Sequence, residues 1–249
     1  MPYFWLFSVK MHKKLIYRIL GNSDILRYLN SDKLTILTYH RVLEKGDGKM
    51  SISIENFEKQ MKYISKNYKV ISFKDLLENK LKKNSIIITF DDGYKDVLQN
   101  AYPILKKYSL KATLFLTTDF LNGKIPWWEN ENNLFMNWND VKKLDLEIGA
   151  HSISHPRLSQ CSLKEIKKEV SKEEIEKKLG REVYVFSYPH GTRNDINENV
   201  INAVKENYKL AVSNIFGLNK KLNKYCLKRI NVFYNDFDIF KVKIRGIGK

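Results

Sequence analysis

The chain has 249 residues, and 44 Lys and Arg against 28 Asp and Glu give it a formal charge of +16. Apolar residues make up 43% and aromatics 12%, enough for a sizeable core, so global disorder is excluded despite the charge. The length fits one large α/β domain; no apolar run approaches the roughly 18 residues of a bilayer span. Two cysteines, Cys161 and Cys226, exclude a disulfide scaffold and a CxxC zinc site.

The stretch Met1 to Val9 is apolar, but no basic segment precedes it and no small-residue cleavage site follows, so the sequence gives no clear signal peptide. Lys10, Lys13, Lys14, Arg18 and Arg27 then interleave with Leu15, Ile16, Ile19, Leu20 and Leu26 at helical spacing. Residues 1–30 therefore read as a basic amphipathic extension, packed on the domain or lying on an anionic membrane. The expected location is cytoplasmic, with peripheral membrane contact as the variant. Elsewhere the Lys residues alternate with Glu, as between Lys164 and Lys178, which is a solvated helix face. No concentrated basic stripe or nucleic-acid module is present, and nucleic acid is not an expected partner.

From Leu34 on, short apolar runs alternate with amphipathic stretches. Leu34 to Tyr39, Val70 to Phe73, Ser85 to Phe90, Ala112 to Thr117, Glu147 to Ala150, Val183 to Tyr188 and Leu210 to Ser213 read as strands. Between them, Ile54 to Tyr68, Lys74 to Asn79, Asp96 to Tyr108, Trp138 to Leu144, Leu163 to Leu179 and Ile196 to Tyr208 read as helices. Pro103 should bend or break its helix, and Gly180 should stop its own. Asp119 to Asn137 reads as a long loop. Strand followed by helix, about seven times, predicts a single α/β domain with a parallel sheet, open or closed into a barrel.

In a barrel, chemistry sits where strands end. Asp91 and Asp92 follow the strand ending at Phe90, with Gly93 allowing a sharp turn. Two adjacent carboxylates disfavour joint ionisation and call for a compensating cation. His151 and His155 follow the strand ending at Ala150 and can converge on one ion. No Glu follows His151, so the base of an HExxH protease is missing. Asp92 or Asp91 with His151 and His155 makes a two-His-one-carboxylate site, and a divalent ion there would acidify a water and polarise a carbonyl. The spare Asp is then available as a general base. No base neighbours Ser152 or Ser154 as in a nucleophile elbow, which disfavours a covalent serine mechanism.

The motifs TFDDG (89–93), HSISHP (151–156) and SYPHG (187–191), in that order, resemble the polysaccharide deacetylases of carbohydrate esterase family 4, the NodB-homology domain. The resemblance spans about Leu34 to Val232 and implies a distorted (β/α) barrel within residues 31–249. It also implies a metal-dependent hydrolase that removes N-acetyl groups from amino sugars. By motif match, Asp91 is the implied base and Asp92, His151 and His155 the implied metal ligands. Zn²⁺ is the first expectation, with Co²⁺, Ni²⁺ or Fe²⁺ as substitutes. The segment Tyr188, Pro189, His190 is the implied acetate pocket, the backbone N–H after Pro189 serving the oxyanion.

Three departures stand out. Ser187 occupies a position where many members carry Arg, His190 stands where Tyr usually follows the Pro, and no histidine follows His190 to supply the usual late acid. His40, ending the first strand in Tyr39-His40-Arg41-Val42, is the expected general acid, with His190 as runner-up. Trp127, Trp128 and Trp138 could stack on sugar rings or simply pack on the barrel. Arg229 could orient a carboxylate at the site or serve a structural ion pair. The expected partner is an N-acetylated glycan. The alternatives are a lipid-phosphate-linked sugar losing formyl or acetyl, and a non-catalytic carbohydrate-binding relative.

Overall fold

The computed structural model describes residues 20–21, 24–129 and 133–247. Most of the amphipathic N-terminal segment lies outside the described residues, and the membrane reading with it. Among the described residues no helix is long and apolar enough to cross a membrane.

The strands are β1 (Thr35–Tyr39), β2 (Arg41–Leu43), β3 (Ser51–Ser53), β4 (Lys69–Val70), β5 (Ser85–Phe90), β6 (Thr113–Leu116), β7 (Glu147–Ala150), β8 (Val185–Ser187), β9 (Leu210–Phe216) and β10 (Leu227–Asn231). The ring runs β1-β10-β9-β8-β7-β6-β5 and closes through β5 back onto β1, every pair parallel. This is the seven-strand barrel expected from the sequence, with one exchange of membership. Among the described residues β4 pairs only with the start of β5, at Lys69↔Ser85 and Val70↔Ile86, and stays outside the ring. β10 takes its place. Its Lys228 and Arg229 break the apolar pattern that marks the other strands, so the sequence reading passed over it.

Strand alternation divides the barrel into layers. Ile36, Ile87, Phe115, Val185, Val212 and Leu227 share one buried cluster that fills the lower lumen. The Phe115 ring fits because Gly149 stands opposite on β7: a Cβ there would come within 2.4 Å of it. One step up these strands the buried side chains turn polar, with Thr38, Thr89, Ser187 and Arg229. One further step reaches His40, Asp91, His151 and Asn231. The opposite faces, including Leu37, Tyr39, Ile88, Phe90, Leu114 and Ile148, pack outward under the helices.

Two helical stretches depart from expectation. Pro103 does not break its helix; a π-helical stretch, Val97–Ala101, runs directly into the helix Tyr102–Lys107, so a widened turn receives the residue that lacks an N–H. The stretch Leu163 to Leu179 is two helices, Leu163–Glu169 and Glu173–Leu179. The break follows from captured carbonyls: Ile153 N–H donates to Glu169 O (3.1 Å) and Tyr208 Oη–H to Val170 O (2.8 Å). Both cysteines are free thiols.

Candidate active site

The ends of β5, β7 and β8 turn sharply. Asp92 (φ 71°), Ser152 (φ 66°), His155 (φ 61°) and His190 (φ 57°) all sit in the left-handed region that non-glycine residues rarely adopt. Four such residues gathered at one barrel mouth are costly backbone held by its surroundings, a feature that clusters at functional sites. The strain also aims side chains: the left-handed turn at Asp92 separates its carboxylate from that of Asp91.

The two carboxylates have opposite surroundings. Asp91 is fully buried and accepts a fork from Arg229, Nη1 to Oδ1 at 2.8 Å and Nη2 to Oδ2 at 2.7 Å. Ser187 Oγ lies 3.3 Å from the same Oδ2. Burial alone would raise its pKa, but the Arg229 guanidinium, with His151 beside it, holds it well below the usual carboxylate range. Asp91 is therefore ionised at neutral pH. Asp92 is nearly as buried, and its Oδ1 has no hydrogen-bond partner among the described residues. Burial pushes its pKa up to about 7, against the pull of His40.

His151 Nε2 lies 3.5 Å and His155 Nε2 3.6 Å from that orphaned Oδ1. Burial lowers His151 to about 3 and His155 to about 4, so both imidazoles are neutral at pH 7. His151 Nδ1 lies 2.7 Å from Ser187 O; with the proton on Nδ1, the Nε2 lone pair points at Asp92. Ligands about 2.0–2.1 Å from a tetrahedral ion stand roughly 3.4 Å apart, close to both separations. Asp92, His151 and His155 thus fit a divalent ion by spacing, by neutral imidazoles and by an acceptor that lacks a partner.

These residues open into a cleft of about 710 Å³, also lined by His40, Arg41, Tyr94, Trp127, Trp128, Glu129, Arg157, His190, Asn214 and Asn231. Trp128 packs on His155 (5.2 Å between centroids), and Trp127, 87% exposed, stands against Trp128 at 5.6 Å. Tyr94 Oη–H donates to Glu129 Oε1 at 2.8 Å. His190 sets its ring edge-on to His155, 4.8 Å between centroids, and lies in the cleft wall.

Several expectations are corrected here. Trp138 does not line the cleft; its Nε1–H donates to Asn122. Tyr188 is a buried packing residue whose hydroxyl donates to Tyr225 O, and Pro189 is not in the cleft wall. Arg229, expected to orient a carboxylate or to serve a structural ion pair, is 1% exposed and lies beneath the cleft, so it meets Asp91 rather than substrate. Besides Asp91 it donates to Ser213 O, Ser187 Oγ, Thr89 Oγ1 and Asn214 Oδ1. This explains the Ser187 departure, since a guanidinium from β10 fills the space above Ser187 and clamps Asp91. Tyr94, Glu129, Arg157, Asn214 and Asn231 carry no motif and escaped the sequence reading. Only the inward step of β10 above Arg229 could have signalled Asn231.

A family model for polysaccharide deacetylases matches residues 78–209. The chain is 30% identical over 209 residues to the Bacillus subtilis (strain 168) protein YxkH, named for the same family, covering 80% of this chain and 71% of that one. The chain belongs to the polysaccharide deacetylase family. It is 29% identical over 204 residues, 68% of each chain, to a poly-β-1,6-N-acetyl-D-glucosamine N-deacetylase of Staphylococcus aureus. The structure of the Streptococcus pyogenes deacetylase PplD, solved with acetate, superposes with a TM-score of 0.71 at 25% identity, over 85% of this chain and 98% of that one. The family's enzymes hydrolyse linear amide bonds, and this barrel with its rim-borne Asp-Asp and His-x₃-His groups is of that type.

The buried Arg229–Asp91 pair yields a test of its own. Arg229→Met strands an ionised carboxylate and is expected to cost about 3–5 kcal/mol of unfolding free energy at pH 7. In the native protein Asp91 has a depressed pKa. Its stabilisation is present above the unfolded value of about 3.9 and is lost as pH falls through the folded value. The variant's deficit should therefore shrink on acidification. Denaturant titrations at pH 7 and at about pH 3, below the unfolded value, check this; an equal deficit at both would mean that Arg229 acts by packing.

Proposed function

We propose that this protein is a metal-dependent hydrolase that removes N-acetyl groups from the amino sugars of a polysaccharide or glycan precursor. The observation that carries this is an ionised, Arg-clamped Asp91 lying beside the Asp92–His151–His155 group that lines the cleft, 3.8 Å from His151 Nε2. The relative from S. aureus, named for poly-β-1,6-N-acetyl-D-glucosamine, supports an N-acetylglucosamine polymer as substrate.

In this reading Asp92, His151 and His155 hold a divalent ion, with Zn²⁺ first and Co²⁺, Ni²⁺ or Fe²⁺ able to substitute. When bound, such an ion supplies Lewis-acid polarisation of an acyl oxygen and an acidified water. Asp91 takes the proton from the attacking water; it is held ionised for that task, and Arg229 fixes its orientation. The His190 backbone N–H, turned by its left-handed φ, serves the oxyanion. His40 gives a proton to the departing amine. The C–N bond breaks, its electron pair stays on nitrogen, and acetate and a free amino sugar leave. Trp127 and Trp128 flank the cleft as faces for neighbouring sugar rings. A binding-only relative would have no use for a depressed Asp91 beside two neutral, converging imidazoles.

Metal-loaded protein incubated with β-1,6-linked N-acetylglucosamine oligomers should release acetate. The oligomers should lose about 42 Da per acetyl group in the mass spectrum. Absence of both, across N-acetylated oligomers of other linkages as well, would refute the activity.

A further inference from the structure

Asn231 is the last residue of β10 and takes the inward step above Arg229. Its register partner on β1 is Thr38, and the next residue, Val232, donates its N–H to Thr38 O at 2.8 Å. That sets Asn231 beside the strand end from which His40 enters the cleft, and both residues line it. Asn231 Oδ1 is buried and has no hydrogen-bond partner among the described residues. A buried amide oxygen without a donor is costly, and native structures leave few of them unexplained. Two other orphaned atoms of this cleft, Asp92 Oδ1 and His155 Nδ1, belong to the residues that fit a cation. Asn231 stands outside that group, and its donor has to come from elsewhere.

We propose that Asn231 Oδ1 receives the N–H of the scissile acetamide, a contact that rests on the deacetylase reading above. A trans secondary amide is planar and points its C=O and N–H in opposite directions. His151 comes from β7, three steps from β10 one way round the ring and four the other, the greatest separation seven strands allow. A carbonyl oxygen directed at the His151 side therefore sends its N–H toward β10 and β1. There it meets Asn231 as acceptor and His40 as donor, two groups addressing one nitrogen. The nitrogen becomes tetrahedral and then takes the proton from His40, so its N–H groups become stronger donors as the C–N bond breaks. The bond to Asn231 tightens on the way to the transition state, which raises turnover as well as binding. Asn231 thus selects an amide over an ester, because an ester oxygen has no hydrogen to offer.

The test compares an N-acetylglucosamine oligomer with an aryl acetate, using metal-loaded protein. Asn231→Leu, nearly isosteric but without an acceptor, should lower kcat/KM on the oligomer by about 10- to 100-fold, the scale for a hydrogen bond to a charge-developing group. On the aryl acetate it should change by no more than about twofold, with metal content unchanged. Asn231→Asp keeps an oxygen in place and should retain more amide activity than Asn231→Leu. If the Leu variant does not fold, Asn231→Ser, too short to reach the nitrogen, replaces it. Equal losses on amide and ester would overturn the assignment. So would Asn231→Leu having no effect on amide turnover in a His40→Ala background, since Asn231 would then act only by holding His40. A wild-type protein inactive on every amide but intact in metal binding would instead remove the deacetylase reading itself.

Discussion

Stripping the divalent ion with a chelator is expected to abolish deacetylation, and added Zn²⁺ or Co²⁺ to restore it; the neighbouring carboxylates should then separate in their variants. Asp92→Asn removes the charged member of the ligand group and should weaken metal binding, with activity lost in proportion to the unloaded fraction. Asp91→Asn should bind metal as the parent does but lose about 10²–10⁴-fold in turnover, because an amide cannot take the proton from water. The basis is the contrast already in the structure. Asp91 is forked by Arg229 and its pKa is depressed, whereas Asp92 has a bare buried Oδ1 and a pKa pushed up to about 7 by burial. A group that must lose its proton on meeting a cation releases that proton, so metal affinity should also fall as pH drops below about 7. Calorimetry with each variant, alongside turnover, reads both effects. Equal metal loss in Asp91→Asn and Asp92→Asn would show that the two carboxylates act as one ligand unit.

The barrel was legible because its strands are buried on both faces and so form unbroken apolar runs, as in Ser85 to Phe90. The rim residues were legible for a related reason: Asp91, Asp92, His151 and His155 interrupt such runs where a strand must end. β10 hid because the lumen above Phe115 is polar, and a strand that delivers Arg229 to Asp91 cannot look apolar. Long-range pairing hid as well. Nothing local to Ser187 or to Arg229 says that one is small because the other, 42 positions on, fills its space. The cleft walls supplied by Tyr94, Glu129 and Arg157 depend on loop paths that no periodicity encodes. Conversely, Trp138 was singled out for residue type and Tyr188 by motif match, and both are engaged by neighbours away from the cleft.

His40→Ala is expected to leave fold and metal content intact and to lower turnover of an N-acetylated oligomer by about 10²–10⁴-fold, the range for removing a positioned acid. The structure narrows the field of donors. His151 and His155 are committed to the group that fits an ion, and Asp91 is held ionised by Arg229. His190 lines the cleft, but burial together with His155 lowers its pKa, which disfavours the protonated form that an acid needs. His40 continues the inward series Ile36, Thr38 on β1, opens into the same cleft, and lies near enough to both carboxylates to lower their pKa values. An amine is a poor leaving group unless protonated, whereas an activated aryl oxide leaves unaided. The loss in His40→Ala should therefore fall to less than about tenfold on an aryl acetate. A crippled His190→Ala beside a near-parental His40→Ala, both assayed on the amide, would transfer the acid role to His190 and leave His40 as a structural residue of the rim.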